Sequence, residues 1–542
     1  MSARVLRVLI ALVLGTTILA TAPAAPTRAG TMAVERLAGA DRFQTAAAIS
    51  ARHYAPGVPA AYVATGLGFP DALAGGPAAV TAGAPILLVT PGGIPAATAA
   101  ELARLQPGRI VVLGGPGVVS DGVLAQLDAY DTGGGVERIG GADRFETAAL
   151  VSARHFGPGT ATAYVATGAN FPDALVGGVA AARAGSPVLL TTPSAVPPAT
   201  DAELRRLAPQ RIVVLGGPGV VPDAIAAQLG TIAPVSRLAG ATRYDTGVAV
   251  SAASFASPAA GLFVATGATF PDALVAVPAA AISGAALLLV PGTSAPASVQ
   301  AEAARLAPGR LVLLGGPAVV NDRVTYQVRQ ATGDLAPLPA CSYQDVATPF
   351  PSLADWERTQ VDTILMVGPE YYPGDLVDTS AAGLNGGHAV RGHVVPDLAA
   401  MAAAARATGV PIQVQSAFRD YATQQATFDY WVSVGGYDQA LRTSARAGHS
   451  EHQLGITFDF TSAGGAAPWN YADWATTPAG AWMAANAWRY GFAMSYPRNA
   501  FATVCYDYEP WHYRYVGRDA AWRIWISGLT VREWLWLNGN GG

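Results

Sequence analysis

Along the first three-fifths of the chain, short apolar runs alternate with longer alanine-rich stretches. Residues 61–64, 86–89 and 110–113 are rich in leucine or β-branched side chains and bounded by glycine or proline, which predicts buried strands. Between them, residues 71–81 and 96–105 read as helices. Strand alternating with helix predicts an α/β unit with a parallel sheet covered on both faces.

The pattern then repeats twice, with matching positions shifted by 102 and then by 99 residues. Arg36-Leu-Ala-Gly-Ala-Asp-Arg42 returns as Arg138 to Arg144 and as Arg237 to Arg243, where Thr242 replaces the aspartate. Ala64-Thr-Gly with Phe69-Pro-Asp-Ala-Leu73 returns at Ala166 with Phe171 and at Ala265 with Phe270. Pro85-Ile-Leu-Leu88 becomes Pro187-Val-Leu-Leu190 and Ala286-Leu-Leu-Leu289. A Gly-Gly-Pro turn closes each copy at Pro116, Pro218 and Pro317. A unit of about 100 residues can hold its own core, so three domains are expected at 34–132, 134–232 and 233–330. The Gly-Gly-Pro turns sit at strand ends, where such sheets bind ligands. No Gly-x-Gly-x-x-Gly spacing or P-loop lysine accompanies them. His53 and His155 are equivalent by the 102 shift, with Ser254 in the third copy, and read as a helix-surface position. The Asp-Arg pairs suit either caps and bridges between domains or an anion-binding groove built on bidentate arginines.

These landmarks resemble the cell-wall-binding repeat type 2 family over roughly residues 34–330. The resemblance implies Rossmann-like repeats packed in a pseudo-threefold arrangement that hold a secreted protein non-covalently to an anionic secondary wall polymer. It implicates the Pro-Ile-Leu-Leu motif in polymer contact, and the third copy departs from it at Ala286 and Thr242.

Residues 331–340 carry a glycine and two prolines and read as a linker. Beyond it, across 341–542, the composition changes: all eleven tryptophans and five of the seven histidines lie there. Three clusters stand out. Ser416-Ala-Phe-Arg419 follows a β-like run and precedes a helical stretch that contains Gln424, which places an arginine where it can meet a carboxylate or an oxyanion. In Gly448-His-Ser450-Glu-His452-Gln-Leu-Gly455-Ile-Thr-Phe-Asp459, His452 and Asp459 suit zinc, Gly455 lets the chain turn, and alternation puts Thr457 and Asp459 on one strand face. A buried His–Asp hydrogen bond is the plainer reading of that segment. In Glu509-Pro-Trp-His512, a glutamate and a histidine three apart face one centre only where the chain turns or bulges, as Pro510 allows.

Together these clusters resemble the D-alanyl-D-alanine carboxypeptidase family that includes the vancomycin-resistance carboxypeptidases. Its pattern, Ser-x-His-x-x-Gly-x-Ala-x-Asp followed by Glu-x-x-His, is met by Ser450, His452, Gly455, Asp459, Glu509 and His512, with Thr457 in place of the alanine. The resemblance implies an α+β domain with one Zn²⁺ held by His452, Asp459 and His512. It implies Glu509 as the general base and Arg419 as the oxyanion partner. Ser450 and Gln424 are implied to orient a peptidoglycan stem peptide. His449 is expected to shape the site, and His388 and His393 to be structural or exposed. An endopeptidase acting elsewhere in the stem peptide, or a surface adhesion protein without activity, are the other readings.

Composition bounds the rest. The net charge is −4, and residues 31–330 balance 18 arginines against 18 acidic residues, so nothing points to nucleic acid. Residues 1–29 read as a signal peptide: Arg4 and Arg7 precede an apolar run from Val8 to Leu19 and then small residues. That predicts a protein outside the cytoplasm, without a stable membrane span after cleavage. The two cysteines, Cys341 and Cys505, then have one intramolecular pairing available, whereas a zinc–thiolate site would need partners that the sequence does not show.

Overall fold

The computed structural model describes residues 32–541, so the expected signal peptide lies outside the described residues. Three parallel-sheet α/β repeats are followed by a separate C-terminal domain. No helix among the described residues is long and apolar enough to cross a membrane.

Each repeat sheet has four parallel strands, and its last strand is supplied by another repeat. In the first sheet the order is Ile86–Val89, Ala61–Thr65, Ile110–Leu113, Val136–Ile139. The last of these opens the second repeat. Val235–Leu238 likewise completes the second sheet, and the N-terminal strand Ala33–Leu37 pairs with Arg310–Leu314 to complete the third. The exchange closes the repeats into a ring, which a sequence boundary at residue 132 or 232 does not convey. The landmark arginines lock it. Arg138 donates to the carbonyls of Gly114 and Val119, Arg237 to those of Gly216 and Val221, and Arg36 to those of Gly315 and Val320.

The alanine-rich helices Gly75–Thr81, Pro172–Arg183 and Pro271–Ile282 meet at the centre, where burial on nearly every side explains why they carry no polar face. Phe69, Phe171 and Phe270 meet edge to face there, with ring centroids 5.6, 5.9 and 6.2 Å apart. The first of these helices is split, with a 3₁₀ turn at Pro70–Ala72, because that copy alone combines the glycine pair Gly75-Gly76 with Pro77.

The cap reading of the aspartates holds, and the reading of the two histidines changes. Asp41 and Asp143 cap the helices that follow them, and Thr242 caps the third with a capping box, so the substitution in the third copy preserves the cap. His53 and His155 are at contacts between repeats, not on open helix surface. His155 Nε2 lies 2.6 Å from the Tyr62 hydroxyl, and His53 packs on Phe263 with Nδ1 3.3 Å from Ser283 Oγ. The Pro-Ile-Leu-Leu side chains are buried in an edge strand, so they build the core rather than an open surface.

The C-terminal domain is α+β, built on an antiparallel sheet ordered Ile412–Ser416, Thr457–Ser462, His512–Tyr515, Phe492–Met494. Phe458, Phe460, Phe492, Trp474 and Met483 form its core. It docks on the third repeat through that repeat's last helix, Asp322–Ala331. Tyr326 and Leu335 are buried against Ile524, Leu529, Val531 and Trp534. Arg523 grips Asp322 with two bonds of 2.7 and 2.9 Å, and Asn321 and Arg323 donate to carbonyls of Ile526 and Ser527. The connecting segment 331–340 is pinned here, since the Ala336 carbonyl accepts Trp536 Nε1–H.

Candidate active site

Strand register assembles the site. Across three neighbouring strands Ser416 pairs with Asp459, and Asp459 with His512, so the three side chains share one row. A 3₁₀ turn, Glu451–Leu454, brings His452 to the same place before the chain turns at Gly455 in the left-handed region. His512 N–H donates to the Glu509 carbonyl, so the chain turns between them. The turn leaves Glu509 Oε2 3.5 Å from His512 Nδ1.

His452, Asp459 and His512 are buried, and each offers a ligand atom within 4.8 Å of the others. Asp459 faces both imidazoles, 3.3 Å from His452 Nε2 and 3.2 Å from His512 Nδ1. The outer ring nitrogens are engaged elsewhere: His452 Nδ1 with the Ala417 carbonyl at 2.7 Å, His512 Nε2 with Glu451 at 3.0 Å. Two imidazoles and a carboxylate are zinc's usual donors, and outer nitrogens held by oxygen acceptors are the usual support of a metal-binding histidine. The residues present therefore fit that ion.

Burial dominates the electrostatics. It pushes the Glu509 carboxyl up to about 8, with His512 opposing and Asp459 adding to the rise. Burial and the Arg419 guanidinium push His452 down to about 4. Burial alone would raise Asp459, but the two histidines hold it well below the usual carboxylate value.

Arg419 sits between the strand Ile412–Ser416 and the helix Tyr421–Gly435, at the junction expected for it. Its Nη1 bonds Ser416 Oγ at 2.5 Å and lies 3.8 Å from Asp459 Oδ2. Gln424 differs from its expected place. It is fully buried, accepting from Arg419 Nε at 2.8 Å and donating to the Ala445 carbonyl, and it does not line the cleft. Ser450 does line the cleft, with its hydroxyl accepting from His452 N–H. His449 points away, its nitrogens on the Asp362 carbonyl and Asp345. His393 packs on Trp356, and His388 does not line the cleft.

Sequence reasoning missed Tyr496, whose ring lies 4.6 Å from that of His512, and the buried Glu451, which lies inside the quoted motif. Cys341 and Cys505 are disulfide-bonded, with Cα atoms 5.3 Å apart. The cleft measures about 520 Å³ and continues past the cluster to Trp431, Trp469 and Trp511.

The fold and site thus define a domain with a buried His/Asp/His cluster beside a glutamate and an arginine, carried on three α/β repeats. Residues 387–518 match the D-alanyl-D-alanine carboxypeptidase family, and residues 36–124, 138–226 and 237–325 match cell wall binding domain 2. The chain therefore carries three successive stretches similar to cell wall binding domain 2 and then one similar to the D-alanyl-D-alanine carboxypeptidase family. YodJ of Bacillus subtilis (strain 168) is 37% identical over 145 residues, covering 27% of this chain and 53% of its own length. A D-alanyl-D-alanine carboxypeptidase of Enterococcus faecalis is 33% identical over 169 residues, covering 29% of this chain and 60% of its own. Among solved structures, Cwp8 from Clostridium difficile is 27% identical with a TM-score of 0.52, covering 56% of this chain and 52% of that one. The chain thus spans between half and two-thirds of the length of each of these proteins.

Proposed function

We propose that this protein is a secreted, wall-tethered peptidase that removes the terminal D-alanine from peptidoglycan stem peptides, using one zinc ion held by His452, Asp459 and His512. The observation that carries the reading is the buried cluster with Glu509 and Arg419 at one cleft. When bound, zinc supplies Lewis acidity and lowers the pKa of water toward neutrality. Glu509 takes a proton from the attacking water and delivers it to the leaving amine nitrogen. Arg419 stabilises charge developing on the carbonyl oxygen. Gln424 acts through Arg419 by fixing its guanidinium, and Ser450 orients the substrate in the cleft.

The repeats hold the enzyme on an anionic wall polymer, which raises local substrate concentration without new active-site contacts. Cleft space beyond what two alanines fill supports one second reading, an internal cut in the stem peptide. Two measurements test the proposal. Glu509→Gln should abolish hydrolysis while zinc is retained, and undiminished hydrolysis would remove the base. The full chain should sediment with intact walls and remain soluble with walls stripped of anionic polymer. Equal retention on both would remove the polymer.

A further inference from the structure

Glu451 is a carboxylate with 4% of its surface exposed, and no step above uses it. It accepts three hydrogen bonds. Its Oε2 takes Ser495 Oγ–H at 2.5 Å and His512 Nε2–H at 3.0 Å, and its Oε1 takes Arg514 Nη1–H at 3.2 Å. The strand His512–Tyr515 explains the meeting: His512 and Arg514 are two residues apart and project to one face, where Glu451 lies. Arg514 is itself fully buried and anchored on the carbonyls of Trp356 and Thr359, so the carboxylate cannot swing away.

This arrangement sorts the two nitrogens of His512. Nε2 faces Glu451, while Nδ1 faces Asp459 and the side of Glu509. Both nitrogens face carboxylates, which only accept; with a zinc ion taking the Nδ1 lone pair, the single ring proton would sit on Nε2, where Glu451 accepts it. His452 is sorted the other way, with Nδ1 on the Ala417 carbonyl and Nε2 toward Asp459. The inner nitrogens, His452 Nε2 and His512 Nδ1, therefore both face Asp459, where one zinc ion would take their lone pairs. The geometry points to Glu451 as a positioning residue that holds His512 in its Nε2–H tautomer so that Nδ1 serves as a zinc ligand. This rests on the metal-site reading above.

Glutamine cannot replace it. With the amide oxygen on Ser495 and His512, the amide N–H₂ would confront Arg514, donor against donor. Flipped, it would donate to His512 Nε2 and force the proton onto Nδ1, the nitrogen that zinc needs.

The test measures zinc binding by the full-length protein in competition with a chromogenic chelator. Wild type should bind tightly, and Glu451→Gln should bind roughly 10- to 100-fold more weakly while its metal-free form remains folded by circular dichroism. Glu451→Asp, which keeps the carboxylate, should recover part of the loss. Equal affinity of Glu451→Gln and wild type would overturn the inference and leave the metal site standing. Failure of wild type to bind zinc would overturn both. If Glu451→Gln does not fold, the zinc-loaded wild type decides through nitrogen-15 histidine spectra. The His512 proton on Nε2 is expected, and a proton on Nδ1 would overturn the inference.

Discussion

Replacing Asp322 by alanine should loosen the C-terminal domain from the repeats, and the ring supplies its own control. Asp121, Asp223 and Asp322 occupy the same position in successive copies, and each meets the landmark arginine of a neighbouring strand. The first two carboxylates are 77% and 81% exposed, so removing either should cost about 0–1 kcal/mol, as for surface pairs. Asp322 is 2% exposed because the C-terminal domain covers it, and Arg523 adds a two-pronged bond. Breaking a buried pair from one side costs about 3–5 kcal/mol. Arg523 and Arg36 remain 27% and 19% exposed and can recover some water, which lowers the expectation to about 2–3 kcal/mol. Urea unfolding followed by tryptophan fluorescence reads the effect where it occurs, since every tryptophan lies in the C-terminal domain. Asp322→Ala and Arg523→Ala should be strongly non-additive in a double-mutant cycle. A loss no larger than that of Asp121→Ala, or additivity within about 0.5 kcal/mol, would refute the docking argument.

Three further outcomes are expected. Arg419→Ala should lower turnover by about 10²–10³-fold with little change in zinc content, read by steady-state kinetics and metal analysis. His53 is held neutral in the fold: burial and nearby arginines lower it to about 4 from 6.5, so the unfolded chain binds the extra proton and stability should fall as pH drops from 6.5 through 4. His53→Gln should flatten that part of the urea-midpoint profile. Cys341→Ser should cost up to about 5 kcal/mol by chain entropy, because the bridge spans 164 residues, and a shift of the urea midpoint checks it.

The sequence made the repeats legible because each strand and helix carries its own period. It did not reveal the exchange of strands, since the apolar pattern of residues 33–37 is the same whichever sheet receives it. The His452/Asp459/His512 cluster was legible mainly through the family resemblance, since alternation alone placed only Thr457 and Asp459 on one strand face. Its support was not: Glu451 and Arg514 are 63 residues apart and are joined only by strand pairing. Gln424 went to Arg419 rather than to the cleft because its helix turns that side chain inward.

The central claim is tested most directly by incubating the full-length protein with a stem pentapeptide ending in D-alanyl-D-alanine, untreated, chelated, and chelated then restored with zinc, with products identified by mass. Loss of a single D-alanine that disappears on chelation and returns with zinc is the predicted result. Undiminished cleavage after zinc removal, or no cleavage by the zinc-loaded protein, would contradict it.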